Sequence, residues 1–443
     1  MQINKRRYLD QAWRPRNRES DMTSMGVRHF RRFAAGVLFA AACVLPIRAW
    51  AAEPLTIGFD IGLTGALAAN GKAALLATQI WAADINAKGG LLGRPVKLVY
   101  YDDQSNPTTV PGILAKLLDV DKVDILISGN GTNMIAPAMP LIMQRKLTFL
   151  SLIGLDVNRT FHYRNYFAVI PAGGPHPKES LTHPFFAIAA TLDPKPKTIA
   201  IVGADAEFSR NAMDGGRIQA KEAGLRIVYD KSYPSNTVDY TPIVQAIQAT
   251  DPDLVLVCSY PPDTVGMIRA AHEVGLKTRL FGGGMVGLQS TAIKLQLGPL
   301  MNGIVDFDFW LPWAGSASPE AKAFLAQYQA KAPSAGVDVL GYYLPPFAYA
   351  RMQVLQQAVE GTKGLDQAKL AAYLRSHRFK TIVGDIKYGP NGEWTEPRVL
   401  GAQFQGIKDH ELAEFKDPKT EVILYPPQYK TGKLRAPYQN AQH

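Results

Sequence analysis

Few residues in this chain have the types and spacing that chemistry requires. Ser128-Gly129-Asn130-Gly131-Thr132-Asn133 follows an apolar run, Asp124–Ser128, and precedes a helical stretch. Its glycines permit close approach of backbone to a ligand, and the N–H groups at a helix start suit an anion. Thr132 adds a hydroxyl. The same segment also suits a plain strand-to-helix turn with an N-cap. Gly282-Gly283-Gly284-Met285-Val286-Gly287 has the GxGxxG outline of a dinucleotide site, with Asp306 roughly twenty residues on. It closes a series of alternating elements instead of opening one, so a glycine loop lining a cleft, or a turn, is the expectation. Asp102-Asp103 is a carboxylate pair at a strand end. Acid–base work would need one pKa pushed up, and a solvated strand end is the simpler reading. His176 and His183 lie seven apart in a Pro-rich stretch read as a loop, with no HExxH or other metal spacing. GxSxG and Walker A patterns are absent from the sequence. No metal, no cofactor and no catalytic group is expected.

Composition narrows the class. The chain has 443 residues, 47% hydrophobic and 19% charged, enough to bury cores in two or three domains. Its formal charge is +10, yet ten of the Lys and Arg fall within residues 1–51 against three acids there. The rest holds 38 basic and 35 acidic residues, so no basic nucleic-acid face is implied. Arg28, Arg31 and Arg32 precede an apolar run, Phe33 to Ile47, and then Ala49-Trp50-Ala51. That order is a secretory leader cleaved before Ala52, too short to span a bilayer comfortably. Residues 1–51 are therefore expected to be removed on export. Met22 and Met25 are alternative starts. Cys43 resembles a lipid-modified cysteine, but Ala40 stands where such a site carries Leu. Once the leader is lost, Cys258 is the remaining cysteine and no intramolecular disulfide forms.

The elements that must position these residues alternate. Apolar runs at 55–59, 96–101, 124–128 and 147–152 read as strands, with a helix at 72–86 stopped by Gly89-Gly90. After Pro171 the pattern restarts, with strands at 198–202, 226–229, 254–260 and 279–281 and helices at 210–223, 242–250 and 264–274. Three helices follow near 319–331, 342–360 and 366–376, then strands at 381–388 and 402–407. Pro345 and Pro346 are expected to bend the second of these helices. Residues 417–443 read as a polar, Pro-rich tail that hugs the surface or frays. Short continuous apolar runs suit parallel sheets buried on both faces, so the fold class is α/β with two doubly wound sheets. Such sheets bind ligands at the carboxyl ends of their strands.

Several collinear segments carry a resemblance. They are Leu55-Thr56-Ile57-Gly58 with Leu63-Thr64-Gly65, Asp84-Ile85-Asn86-Ala87-Lys88-Gly89-Gly90-Leu91, and Tyr100-Tyr101-Asp102-Asp103. Ile199-Ala200-Ile201-Val202, Gly275-Leu276-Lys277-Thr278, Val383-Gly384-Asp385-Ile386 and Gly389-Pro390-Asn391-Gly392 complete the set. With these the chain resembles the periplasmic leucine/isoleucine/valine-type solute-binding proteins of ABC transporters over about residues 54–410. The resemblance implies the type I periplasmic-binding-protein fold, in which two lobes close over a ligand and a membrane permease with its ATPase receives it. It places lobe one at 54–171 plus 310–384 and lobe two at 172–309 plus 385–416. The crossings fall near Ile170–Gly173, Phe307–Trp310 and Gly384–Tyr388.

The family's ligand positions transfer unevenly. The carboxylate-holding hydroxyl matches Thr132, beside Gly131, and a backbone contact matches Ile153. The next hydroxyl position is Leu155, and the two aromatic walls match Phe208 and Tyr260. The acid that pairs a ligand ammonium falls at Gly284, and an aromatic near the mouth falls at Asn70. An acid from elsewhere, Asp60, Asp205 or Asp263, would restore the ammonium site if it reached the cleft. The resemblance thus implies a non-enzymatic binder of a small carboxylate, amide-like or aromatic acid ligand, with an ordinary α-amino acid disfavoured. Two rival classes are an extracellular sensor that feeds a receptor or kinase and an exported α/β hydrolase. The hydrolase would need a nucleophile, base and orienting acid converging in the cleft.

Overall fold

The computed structural model describes residues 53–314 and 318–441; the expected leader lies outside the described residues. The first sheet begins with β1 (Leu55–Ile61), α1 (Ala68–Ala87), β2 (Val96–Asp102), α2 (Val110–Asp119) and β3 (Ile125–Leu126). It continues through α3 (Thr132–Gln144), β4 (Phe149–Leu152), α4 (Asn158–Phe161) and β5 (Tyr166–Val169). The strands pair in parallel as β2-β1-β3 and β4-β5. A parallel bridge between Asn130 and Leu152, with Ser128 N–H donating to Leu150 O, joins the two groups. α1 is Ala-rich and ends where Gly89 and Gly90 take φ of +100° and +80°, a region closed to most side chains.

The second sheet is built by α5 (Pro177–Ala189), β6 (Thr198–Ala204), α6 (Glu207–Glu222), β7 (Arg226–Tyr233), α7 (Thr241–Gln248) and β8 (Leu254–Ser259). α8 (Pro261–Val274), β9 (Leu280–Met285), α9 (Thr291–Leu297) and β10 (Val305–Asp308) follow. Every residue of β6, β8 and β9 is buried, as expected of parallel strands covered on both faces. The chain then returns to the first sheet, where α10 (Pro319–Ala335) and α11 (Leu344–Thr362) pack on α1, and α12 (Gln367–Ser376) packs on α11. Ser318 and Asp366 cap α10 and α12 by accepting from Ala321 and Lys369 N–H. The hairpin β11 (Arg378–Phe379) and β12 (Ile386–Lys387) leads back to β13 (Leu400–Phe404) and β14 (Glu421–Tyr425). The order is β14-β13-β10-β9-β8-β6-β7, with β13 and β14 antiparallel. The fold is the type I periplasmic-binding-protein architecture.

Several local expectations are corrected. Residues 176–189 are not a loop: Pro177 opens α5, where no N–H is needed, and Pro184 is accommodated within it. Pro345 and Pro346 sit in the first turn of α11 instead of bending it. The expected 381–388 strand shrinks to the two residues of β12. Residues 417–443 are not a fraying tail: β14 extends the second sheet, and Tyr438 is buried against Phe281. Gly282–Gly284 lie inside β9, not in a cleft-lining glycine loop or a turn. A Cβ on Gly282 would meet Val305 O at 2.1 Å, and one on Gly283 would meet the Phe185 ring at 2.9 Å. These glycines let β10 and α5 approach. Asp306 is buried and accepts from Met285 N–H at 3.0 Å. Asp103 is likewise buried, not solvated.

Candidate functional site

The strand ends of the two sheets face each other across a cleft. The passage from β5 to α5 and the return before β13 run side by side there, with Ala168 N–H donating to Gly392 O, Gly174 N–H to Trp394 O and Arg398 N–H to Pro171 O. Between the sheets lies a cavity of about 40 Å³.

Seven of the eight sequence-derived positions line it: Asn70, Gly131, Thr132, Ile153, Leu155, Phe208 and Tyr260. Gly284 does not. Its missing Cβ points at Val257 O, 2.9 Å away, and Cys258 Sγ, 3.2 Å away, so a side chain there would strike the sheet. Val286 occupies the wall instead. Phe208 and Tyr260 stand edge to face at 5.7 Å and 74°, forming one wall and not two faces of a sandwich. Asn130 and Asn133 belong to the glycine-flanked motif singled out in the sequence but were given no role there, and Phe307, Phe309, Tyr343 and Leu344 were not identified. The last four come from the end of β10 and the residue after it and from the start of α11. The aromatic run from Phe307 to Trp310 was the available signal for them.

No lining side chain carries a charge. Asp60, Asp205 and Asp263 all stay outside. Asp205 pairs with Arg210 at the surface at 2.8 Å, and Asp263 accepts from Tyr233 Oη at 2.5 Å. The polar end is the start of α3. Thr132 and Asn133 N–H have no acceptor in the described chain, and the Asn130 amide oxygen is buried without a partner. Thr132 Oγ1 accepts from Leu155 N–H at 3.0 Å, tying the Ile153–Leu155 loop to α3. Ile153 holds φ of +56°, costly for a β-branched residue at about 1–3 kcal/mol. Strain of that kind persists where the surroundings over-determine the backbone.

Buried charges behind the wall hold the Ser128–Gly129 turn before α3. Arg351, in α11, donates to Ser128 O at 2.5 Å, and Asp60 Oδ1 accepts from Gly129 N–H at 2.9 Å. Burial pushes the Asp60 carboxyl up to about 7, with Asp103 adding to the rise and Gly129 N–H and Arg351 opposing it. Burial lowers the Arg351 guanidinium to about 9, and Asp60 opposes that. The arrangement can receive a hydrogen-bond acceptor or anion at the helix start and an apolar body beyond it. His176 and His183 sit apart, in an open surface groove of about 270 Å³ beside α5. Among the described residues no cluster of three or more His, Cys, Asp or Glu could hold a metal, and no helix is long and apolar enough to cross a membrane.

Comparison with known proteins places this geometry. A "Leu/Ile/Val-binding protein homolog 8" from Brucella abortus is 24% identical over 359 residues, covering 78% of this chain and 87% of that protein. The crystal structure of a leucine-binding protein from Thermotoga maritima superposes with a TM-score of 0.69 at 19% identity, covering 81% of this chain and 96% of the other. A solute-binding protein of an ABC transporter from Rhodopseudomonas palustris, solved in complex with p-hydroxybenzoic acid, superposes with a TM-score of 0.68 at 20% identity, covering 80% and 94%. The periplasmic binding protein family profile matches residues 54–403. The chain therefore belongs to the periplasmic binding protein family, as a substrate-binding protein of the branched-chain amino acid type found with ABC transporters.

Proposed function

We propose that this chain is the exported, non-enzymatic capture subunit of an ABC importer, working in the periplasm after loss of residues 1–51. Lobes 54–171 plus 310–384 and 172–309 plus 385–416, the second extended by β14, close over the ligand and present it to the permease and ATPase. The ligand is a monocarboxylate or amide-like compound with an apolar or aromatic body and no ammonium.

One observation carries the ligand reading. The cavity sets unpaired N–H groups at the start of α3 against an aromatic wall and offers no charged side chain. A buried ammonium without its carboxylate loses about 2–5 kcal/mol, roughly 30- to 4,000-fold in affinity. The Rhodopseudomonas protein with p-hydroxybenzoic acid supports an aromatic acid on this fold. The cavity as it stands is small, about 40 Å³, so a ligand enters as the lobes part, by the hinge motion that two lobes joined by paired strands allow.

The test of the transport role has two steps. A thermal-shift panel of carboxylates, amides and amino acids identifies compounds that raise the melting temperature, since a ligand bound only to the folded state stabilises it. Cells lacking the chain should then lose uptake of the compound that gives the largest shift. Undiminished uptake would contradict the role and favour a sensor.

A further inference from the structure

Asn133 sits at the second position of α3, in lobe one, and its side-chain oxygen reaches across the cleft. It accepts from Tyr260 Oη at 2.7 Å and from Phe208 N–H at 3.2 Å, both in lobe two. Close by, Asn211 Nδ2 donates to Leu155 O at 3.0 Å, a second link across the same rim. Phe208 N–H and Tyr260 O–H are the polar groups that the lobe-two wall turns toward the cleft, and Asn133 takes both. What lobe two then shows the cavity is the Phe208, Tyr260, Phe307 and Phe309 rings with Val286. Thr132 N–H, Asn133 N–H and the Asn130 amide oxygen, which are unpaired at the cavity, belong to lobe one.

We propose that Asn133 is a specificity-determining latch. Its amide oxygen satisfies the lobe-two donors that would otherwise wait for a ligand. The lobes can then close without ligand, and lobe two reads only the ligand's apolar body. Two neutral hydrogen bonds each change an equilibrium by roughly 2- to 12-fold, so together they favour the closed form by roughly 5- to 100-fold. Closure without ligand is the pre-existing state that a ligand then enriches. A ligand polar at one end suits this cleft. A ligand polar at both ends must displace the latch to reach Phe208 N–H or Tyr260 O–H.

The latch half of the proposal stands on the two-lobe fold; the selectivity half rests on the ligand class proposed above. The experiment separates them. Spin labels at Val120→Cys and Val238→Cys, exposed positions of the two lobes, are placed in a chain that also carries Cys43→Ser; native Cys258 is buried. Double electron–electron resonance without ligand should show a closed population that Asn133→Ala reduces relative to the open one by roughly 5- to 100-fold. Asn133→Asp, which still accepts from both groups, should keep it. An Asn133→Ala distribution identical to the parent's, or an Asn133→Asp chain as open as Asn133→Ala, would overturn the latch. Benzoate and benzamide then serve as probes of selectivity. In Asn133→Ala the freed Phe208 N–H and Tyr260 O–H can reach a carboxylate, and charge-assisted bonds are about twice as strong as neutral ones. The preference for benzoate over benzamide should therefore rise threefold or more, and an unchanged ratio overturns the selectivity claim. Failure of both probes to bind the parent chain sinks the ligand class, and the unliganded distances then decide the latch alone.

Discussion

Asp60 ties the candidate site to pH. Its carboxyl holds a proton up to about pH 7 in the folded chain, against 3.8 for the unmodified group, because burial penalises its charge. The folded state therefore binds a proton that the unfolded state has released over that window. The contribution of Asp60 to stability therefore falls as pH rises from about 4 to 7. Asp60→Asn keeps an acceptor for Gly129 N–H and removes the titration. Urea denaturation at pH 5 and pH 8 should show the parent losing about 2–4 kcal/mol more than the variant between the two. An equal loss in both would show that Asp60 is already ionised at pH 5. This carboxyl could not be found in the sequence as a support. It lies at a strand end like Asp102, and only the approach of Arg351 from a helix 291 residues later distinguishes the two. Thr132 and Gly131 were legible because a glycine-flanked hydroxyl after a strand is a local pattern. Gly284 misled because β9 runs to Met285, which leaves Val286 at the wall. Asn133 stood in the same motif, but its role across the cleft gave no signal, since its partners lie 75 and 127 residues away.

At the scale of elements, alternation of apolar runs with helical stretches was enough to read both sheets. The misses share a physical cause. β5 and β10 have four residues each, too short to show a period, and α5 is masked by its own prolines. β14 hid in a polar context because its polar residue is paired inside. Lys294 Nζ, in α9, donates to Glu421 Oε1 and Oε2 at 2.9 and 2.7 Å, and both side chains are at most 3% exposed. Asp308, at the end of β10, adjoins them. Burial and then Glu421 push its carboxyl well above the usual range, with Lys294 opposing. The last strand is thereby tied to the segment that carries the chain back toward lobe one. Breaking one partner of such a pair strands a buried charge, so Glu421→Gln should cost about 3 kcal/mol in urea unfolding. Adding Lys294→Met should recover much of that loss. A Glu421→Gln chain as stable as the parent would remove the pair from the account of how lobe two is held.

At the scale of the whole molecule, two sheets bound by hydrogen-bonded passages enclose a small cavity with one polar end. The lobes, their order and the cleft between them follow from the alternating pattern and the family resemblance. The absence of charge from the cavity wall does not, because it depends on which way Asp60, Asp205 and Asp263 turn. That absence is the central claim, and calorimetry tests it most directly. Titration of the leader-free protein with 4-hydroxybenzoate, benzoate, leucine, isoleucine and valine should give a dissociation constant in the micromolar range or tighter for an aromatic monocarboxylate, and affinity at least 30-fold weaker for the three amino acids. Micromolar or tighter binding of leucine, isoleucine or valine would contradict it, because an ammonium would then have found a counter-charge that this cavity does not show.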